Sequence, residues 1–199
     1  MKRVLSIQDI SCIGKCSLTV ALPIISAMGI ETSILPTSIL STHTMFNDFT
    51  FRDLTDDMEP IKKHWQKEGF SFDAIYTGYL GSEKQITLVK DYFKTFGNTC
   101  KYIIVDPAMA DNGKLYSGFD KDFPLKMAKL CKYADVILPN ISEAAFMTGM
   151  PYPGENASNE CIKDLLLSLA KLGSKIIVIT GVESADQKFG FMGYDSETK

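Results

Sequence analysis

Short apolar runs alternate with longer amphipathic segments along most of the chain. The short runs are rich in β-branched residues and predict strands, whereas apolar residues at helical spacing predict helices in the longer segments. The predicted strands are Val4–Ile7, Glu31–Leu35, Asp73–Thr77, Tyr102–Val105, Val136–Leu138, Lys175–Thr180 and Phe189–Tyr194. The predicted helices are Ser17–Met28, Asp57–Glu68, Ser82–Phe96, Asp120–Tyr133, a short helix that begins at Ser142, and Ser158–Leu172.

One region departs from this alternation. The strand Glu31–Leu35 is expected to end at Pro36, because proline has no N–H to donate to a central ladder. A long polar loop is then expected from Thr37 to about Thr50.

The order of strands and helices predicts an α/β fold. The strands are almost continuously apolar and are separated by long crossovers, which is typical of a mostly parallel sheet covered by helices on both faces. We therefore expect three layers, α/β/α, in a single domain that spans residues 1–199.

Composition narrows the class of partner. The chain has 199 residues, of which 45% are hydrophobic and 23% charged, so a disordered protein is excluded. A formal net charge of −3 argues against a surface for nucleic acid or anionic membranes. The five cysteines are odd in number, and the sequence shows neither a secretory leader nor an apolar stretch long enough for a membrane span. These features predict a reduced, cytoplasmic, soluble protein that binds a small molecule.

The segments directly after the strands carry most of the polar side chains suited to chemistry. In a mostly parallel sheet, ligands bind outside the carboxyl ends of the strands, so these segments are expected to form one rim. They are Gln8–Ser11, Ser41–Thr44, Gly78–Ser82, Asp106–Asp111, Pro139–Glu143 and Thr180–Gly181.

Taken together and in this order, these segments resemble the pyridoxal/pyridoxamine kinases of the ribokinase-like superfamily. The resemblance runs from Ser6 to about Thr180. It implies a ribokinase-like fold and the ATP-dependent phosphorylation of the 5′-hydroxymethyl group of pyridoxal, pyridoxamine or pyridoxine, a step of vitamin B6 salvage. It also implies ATP and Mg²⁺ as cofactors, with a monovalent cation as an open option, and a homodimer.

The resemblance places the vitamer ring among six residues, namely Asp9, Ser11, His43, Thr44, Met45 and Tyr79. A flat heteroaromatic ring needs an aromatic or apolar wall and a few placed donors and acceptors, which these side chains can supply. One branch of the family has Ser where this chain has Asp9, and an acid there would favour a ring that bears an amine. In the alternative reading, Asp9 caps a turn and His43 makes only a local hydrogen bond.

The resemblance places four residues near the ATP phosphates and their cation, namely Asp106, Asn140, Glu143 and Thr180. Asp106 and Glu143 are the expected Mg²⁺ holders, since Mg²⁺ prefers oxygen ligands and keeps several waters. Asn140 and Glu143 are three residues apart, which also suits an N-cap with an acid near the helix dipole. The two readings are compatible.

A motif of the resembled family is missing from this chain. The family carries a GxGD sequence near its C-terminus, whose backbone amides stabilise the transferred phosphoryl group and whose Asp is the general base. No GxGD sequence occurs in the 199 residues, so no catalytic residue is predicted among them and the base is expected beyond Lys199. We expect the 199-residue chain to be inactive alone and favour a fragment of a kinase, truncated at its C-terminus. A shortened homologue and a partner chain that supplies the loop stay open.

Two other functions remain as alternatives. A hydroxymethylpyrimidine kinase of the same superfamily acts on a similar small aromatic ring with a hydroxymethyl group. A non-catalytic homologue would bind the vitamer or the nucleotide without turnover.

Overall fold

The computed structural model describes residues 1–154, 157–183 and 189–198. The chain divides into two compact units, Met1–Ile103 and Ile104–Lys199. The first contains β1 (Arg3–Ser11), α1 (Leu18–Ala27), β2 (Glu31–Leu40), β3 (Phe51–Asp53), α2 (Thr55–Lys67), β4 (Ala74–Thr77) and α3 (Glu83–Phe96). The boundary falls within β5 (Tyr102–Val105), which is described here with the second unit. The second unit also contains β6 (Ala110–Asp111), β7 (Lys114–Leu115), α4 (Phe123–Cys131), β8 (Val136–Ile137), α5 (Ile141–Thr148), α6 (Asn159–Ala170), β9 (Ile176–Glu183) and β10 (Phe189–Asp195).

In the first unit, the strands follow the order β3-β2-β1-β4. The central strand β1 pairs in parallel with β2 and β4, and the short β3 pairs antiparallel with the end of β2. Leu5, Ile7, Leu35 and Ile75 are fully buried in these strands. These apolar residues of β1, β2 and β4 therefore form part of the core of this unit.

Two expectations about β2 and its surroundings are wrong. The strand does not end at Pro36 but continues to Leu40, and Pro36 pairs in register with Gln8 of β1. A proline is tolerated there because β3 pairs only with residues 38–40, so that Pro36 lies at an edge-like position. The expected loop from Thr37 to Thr50 thus contains the end of β2, and β3 follows it directly.

In the second unit, the strands follow the order β5-β8-β9-β10. The pairs β5–β8 and β8–β9 are parallel, whereas β10 is antiparallel to β9. The strands β6 and β7 form a separate two-stranded hairpin. The pairings in the two units and the helices between the strands confirm the predicted α/β fold with a mostly parallel sheet. The single domain across residues 1–199 stays a prediction.

Local signals explain where the helices begin. The Ser82 hydroxyl caps α3 by accepting the Gln85 N–H, and the Ser158 hydroxyl caps α6 in the same way through the Cys161 N–H. The helix α5 begins after Asn140 with a capping box and ends at Gly149, whose φ of 70° is left-handed. No helix in the described part of the chain is long and apolar enough to cross a membrane.

Candidate functional site

Asp9 and Ser11 lie at the carboxyl end of β1. Both side chains are buried, and the Ser11 hydroxyl donates a hydrogen bond of 3.0 Å to the Asp9 carboxylate. They were expected in a loop, but β1 extends to Ser11. Two residues of β2, Thr37 and Ser38, stand opposite the single residue Asp9, so the strand pairing has a bulge at this point.

Tyr79 follows β4 and is half-buried. Burial raises the pKa of the Tyr79 phenol, and the negative charges of Asp9 and Asp53 raise it further. Asp9 and Tyr79 therefore act on each other electrostatically, and the structure brings together the expected carboxylate and the expected aromatic wall. The phenol therefore stays neutral over the physiological range.

The segment His43–Met45 contacts a different part of the first unit. The His43 imidazole lies against Gly14, where a Cβ atom would stand 2.1 Å from the ring Cδ2 atom. Gly14 has a φ of 130°, so both its backbone and this close approach require glycine. The Met45 N–H donates to His43 Nδ1 at 3.3 Å, which is the local hydrogen bond of the alternative reading. Met45 is 89% exposed, and Thr44 is half-buried.

In the second unit, Glu143 is the most constrained of the expected residues, with an exposed fraction of 2%. Its Oε2 atom accepts the Asn140 N–H at 2.8 Å, and the Asn140 side chain accepts the Glu143 N–H at 2.9 Å. Its Oε1 atom accepts the Met109 N–H at 3.0 Å and the Ala110 N–H at 3.5 Å. The predicted N-cap arrangement is thus present, and it also holds the segment that enters the β6–β7 hairpin.

The surroundings of Glu143 disfavour the charged form of its side chain. Burial, and after it the negative charge of Asp106, raises the pKa of Glu143 to about 8, although the three backbone N–H groups favour the charged form. Asp106 directly follows β5 and is half-buried. Two carboxyl groups that repel each other favour either protonation of one of them or the binding of a cation.

Asn140 connects this carboxylate pair to the neighbouring backbone. Its amide group donates to the Ala110 carbonyl at 2.7 Å, and its backbone pairs with that of Thr180 in β9. The Thr180 N–H donates to the Pro139 carbonyl at 2.9 Å, and the residue is exposed. The structure therefore brings Asp106, Asn140, Glu143 and Thr180 to one part of the second unit.

The donor set at Asp106 and Glu143 fits Mg²⁺. No group of three or more His, Cys, Asp or Glu side chains suited to hold a metal ion occurs among the described residues. The described residues therefore provide no metal site made of protein ligands alone. Mg²⁺ does not need one, because it typically binds through one or two carboxylates together with waters and phosphate oxygens. The backbone N–H groups occupy both Glu143 oxygens, so Glu143 suits contact through water.

Sequence reasoning missed three polar residues in the first unit, namely Thr37, Asp53 and Gln85. All three belong to one hydrogen-bond network beside Tyr79. The signal for Gln85 was present, because the buried face of α3 is otherwise apolar or aromatic at helical spacing. Thr37 and Asp53 fell in or next to the expected loop, and their strands were not predicted there.

Comparison with known proteins gives a consistent set of relatives. The sequence profile of the phosphomethylpyrimidine kinase family matches residues 31–197. A phosphomethylpyrimidine kinase-like protein from Bacteroides thetaiotaomicron, crystallised with pyridoxal, is 40% identical with a TM-score of 0.93, and the match covers 100% of this chain and 70% of that one. The pyridoxal kinase from Lactobacillus plantarum is 34% identical with a TM-score of 0.88 and the same coverage.

A curated sequence relative is also a pyridoxal kinase. Pyridoxal kinase PdxY from Actinobacillus pleuropneumoniae is 27% identical over 175 residues, which are 83% of this chain and 60% of the relative. The chain spans between 39% and 60% of the length of the first three curated relatives.

Proposed function

Because the chain belongs to the phosphomethylpyrimidine kinase family, we propose that the protein phosphorylates the 5′-hydroxymethyl group of a B6 vitamer with ATP. The observation that carries this proposal is the cluster of Asp9, Ser11 and Tyr79, which combines a buried carboxylate, a hydroxyl and a half-buried aromatic ring. Pyridoxal offers an aromatic face with a ring hydroxyl, an aldehyde and a ring nitrogen, and such a cluster can bind each of these groups. The 40% identical relative crystallised with pyridoxal supports this choice of substrate.

In this proposal, the first unit binds the vitamer. The Tyr79 ring supplies an apolar wall, and its neutral phenol donates a hydrogen bond. The Asp9 carboxylate, held by the Ser11 hydroxyl, accepts a hydrogen bond from a protonated ring nitrogen or an amine of the vitamer. His43, Thr44 and Met45 belong to the same proposal, with the exposed Met45 available to cover a bound ring.

The second unit binds the nucleotide in this proposal. Bound Mg²⁺ would neutralise charge on the ATP phosphates. Asp106 and Glu143 would hold this ion, with Glu143 acting through water because its oxygens already accept backbone N–H groups. Asn140 keeps the Glu143 carboxylate oriented, and the exposed Thr180 is available to a phosphate oxygen.

Four finer points belong to the proposal as well. We propose Mg²⁺ as the cation, a homodimer as the assembly, the cytoplasm as the compartment and one kinase domain as the organisation. Equilibrium sedimentation of the purified protein measures the assembly. A nucleotide titration with and without EDTA, which removes Mg²⁺, measures the need for the cation.

A second candidate is a hydroxymethylpyrimidine kinase, which the description of the matching family favours. Its substrate also carries a hydroxymethyl group on a small aromatic ring, so the Tyr79 wall suits both. The two rings differ in the groups that would face Asp9 and Ser11. A direct comparison of the two substrates on the same protein separates these candidates.

The test is calorimetric titration of the purified 199-residue chain with pyridoxal, pyridoxamine, hydroxymethylpyrimidine and MgATP, with product formation followed in parallel. Binding of a B6 vitamer and of MgATP supports the proposal, whereas preferred binding of hydroxymethylpyrimidine favours the second candidate. Binding without turnover agrees with the expectation that this chain is inactive alone. Turnover by a longer chain then distinguishes a kinase from a non-catalytic homologue. Formation of pyridoxal 5′-phosphate contradicts the prediction that the base lies outside these residues.

A further inference from the structure

Gln85 is a buried amide on an otherwise apolar face of α3. It is the third residue of α3, its exposed fraction is 1%, and it shares the buried face of that helix with apolar and aromatic side chains. Burying a primary amide destabilises a protein unless its donors and acceptor are satisfied. The partners of Gln85 therefore explain why the residue occurs at this position.

The Gln85 amide joins three separate segments of the first unit. Its Oε1 atom accepts the Gly81 N–H at 2.8 Å. Its Nε2 atom donates to the Thr37 carbonyl at 3.0 Å and to the Thr55 hydroxyl at 2.9 Å, and it lies 3.2 Å from the Asp53 carboxylate. One side chain thus links the turn after β4 to the bulge in β2 and to the end of β3.

One bond of Gln85 and one bond of Thr37 bear directly on Tyr79. The Gly81 N–H fixes the chain two residues after Tyr79, and the Thr37 hydroxyl donates to the Tyr79 carbonyl at 3.3 Å. A Cβ atom at Gly81 would stand 3.6 Å from Tyr79 Cε1, 3.7 Å from the phenol oxygen and 3.8 Å from Gln85 Oε1. The Tyr79 ring therefore lies over the glycine whose backbone Gln85 holds.

The bond from the Gln85 amide to the Thr37 carbonyl acts opposite Asp9. Thr37, whose carbonyl accepts the Gln85 amide, belongs to the bulge that stands opposite Asp9 in the pairing of β1 with β2. A bulge has fewer ladder hydrogen bonds than a regular pair of strands, so a side-chain donor has a larger share in fixing its shape.

We propose that Gln85 is a positioning residue for vitamer binding, because it holds both the Tyr79 turn and the β2 bulge opposite Asp9. This inference rests on the proposed function in that Tyr79 and Asp9 bind the vitamer. Gln85 itself contacts no substrate. Its loss should weaken vitamer binding and leave the nucleotide site of the second unit unchanged.

The test compares three variants with the unchanged chain. Gln85→Leu removes all of the amide's hydrogen bonds and keeps the side chain large. Tyr92→Phe is the matched control, since the Tyr92 hydroxyl is also buried on α3 and donates to the Met58 carbonyl at 2.7 Å. Thr37→Val removes only the bond to the Tyr79 carbonyl and, where Gln85→Leu does not fold, tests whether the network around Gln85 positions Tyr79 for the vitamer.

Two readouts are needed for each variant. Amide hydrogen exchange of Gly81, measured by NMR without any ligand, reports the bond from its N–H to Gln85. Calorimetric titration with pyridoxal and, separately, with MgATP reports the two candidate sites. We expect Gly81 to exchange faster in Gln85→Leu and the Kd for pyridoxal to rise about tenfold, with the Kd for MgATP within about twofold. Thr37→Val should raise the Kd for pyridoxal about threefold.

A structural role alone gives a different result. If Gln85→Leu weakens pyridoxal and MgATP equally, or if Tyr92→Phe weakens pyridoxal as much, Gln85 only stabilises the fold and the inference is wrong. Unchanged exchange at Gly81 also overturns it. If the unchanged chain binds no vitamer, the proposed function fails, and the role of Gln85 in vitamer binding fails with it; faster exchange at Gly81 then supports only the hold on the Tyr79 turn.

Discussion

The two units hold their candidate residues in different ways. In the second unit, Asn140 and Glu143 bind each other through the capping box and together fix the backbone at Met109 and Ala110. In the first unit, Tyr79 is positioned by Gln85 and Thr37, which are not candidates for binding themselves. When the site residues bind one another, a short sequence motif contains both hydrogen-bond partners. When other residues position them, the motif does not show those partners.

This difference sets what a substitution can do. Removing Glu143 takes away a proposed Mg²⁺-binding group and several hydrogen bonds at once, so binding and stability should change together. Removing Tyr79 takes away the aromatic wall of the proposed vitamer site, while the network that positions it stays intact. The predictions below use this contrast, and they run from the largest expected effect to the smallest.

The largest effect is expected for Glu143→Ala. The Kd for MgATP should rise about 100-fold, because the group that is proposed to hold Mg²⁺ in its ionised form is lost, while the Kd for pyridoxal changes by less than about twofold. The free energy of unfolding should fall by about 2 kcal/mol, since the capping box and the bonds to Met109 and Ala110 disappear. Calorimetry and urea denaturation measure the two quantities.

Glu143→Gln is the matched control for that experiment. Glutamine can also reach back to the N-cap backbone, so most of the stability should return, but the charge does not. The Kd for MgATP should therefore stay high while the free energy of unfolding recovers. An equal loss of pyridoxal and MgATP affinity in both variants would count against a nucleotide site at Glu143.

Tyr79→Ala is expected to have the opposite selectivity and a smaller effect. The Kd for pyridoxal should rise about tenfold, because an aromatic wall is lost, and the Kd for MgATP should be unchanged. Tyr79→Phe keeps the ring and should recover most of the affinity. Weakened MgATP binding in Tyr79→Ala would remove the contrast between the units.

The pH dependence of stability tests the charge at Glu143. Its pKa is raised from 4.5 to about 8 in the folded protein, chiefly by burial and secondly by Asp106. Between these values the folded state holds a proton that the unfolded state releases, so the free energy of unfolding should fall as the pH rises from about 4.5 to about 8. The contribution is fully present below pH 4.5 and is lost above the folded pKa.

Urea denaturation at several pH values measures this slope. Other groups titrate in the same range, so the quantity of interest is the difference between the unchanged chain and Glu143→Gln. That difference should change across the window in the stated direction. A difference that is independent of pH would mean that Glu143 is charged throughout.

The sequence predicts the architecture of both units better than the details of the first. The strands follow from apolar runs such as those around Ile75 in β4 and Ile177 in β9. The local pattern already indicates that these two residues are buried. The end of β2 was missed because Pro36 normally breaks a ladder, and it does not here because β3 ends at Asp53, opposite Ser38, before it reaches Pro36. That information is tertiary and is absent from the local sequence.

The candidate residues show the same division. The spacing of Asn140 and Glu143 predicts the capping box that the structure contains. Nothing in the spacing of Tyr79 and Thr37, which are 42 residues apart, indicates that the hydroxyl of one binds the carbonyl of the other. A single polar residue on an apolar helix face, such as Gln85, is the signal that a sequence offers for a network of this kind.

The smallest effect is expected for Asp9→Asn, which removes a negative charge near Tyr79. Burial is the larger cause of the raised pKa of the Tyr79 phenol, and Asp9 is the next, so the variant should shift the phenol titration to lower pH without restoring its ordinary value. Alkaline absorbance titration measures this when Tyr79→Phe is subtracted in each background. Asp91→Asn, which changes a half-buried acid on α3 that pairs with Lys94, should leave the titration in place. If Asp9→Asn does the same, Asp9 and Tyr79 do not interact, and the first unit offers two separate groups rather than one site for a polar aromatic ring.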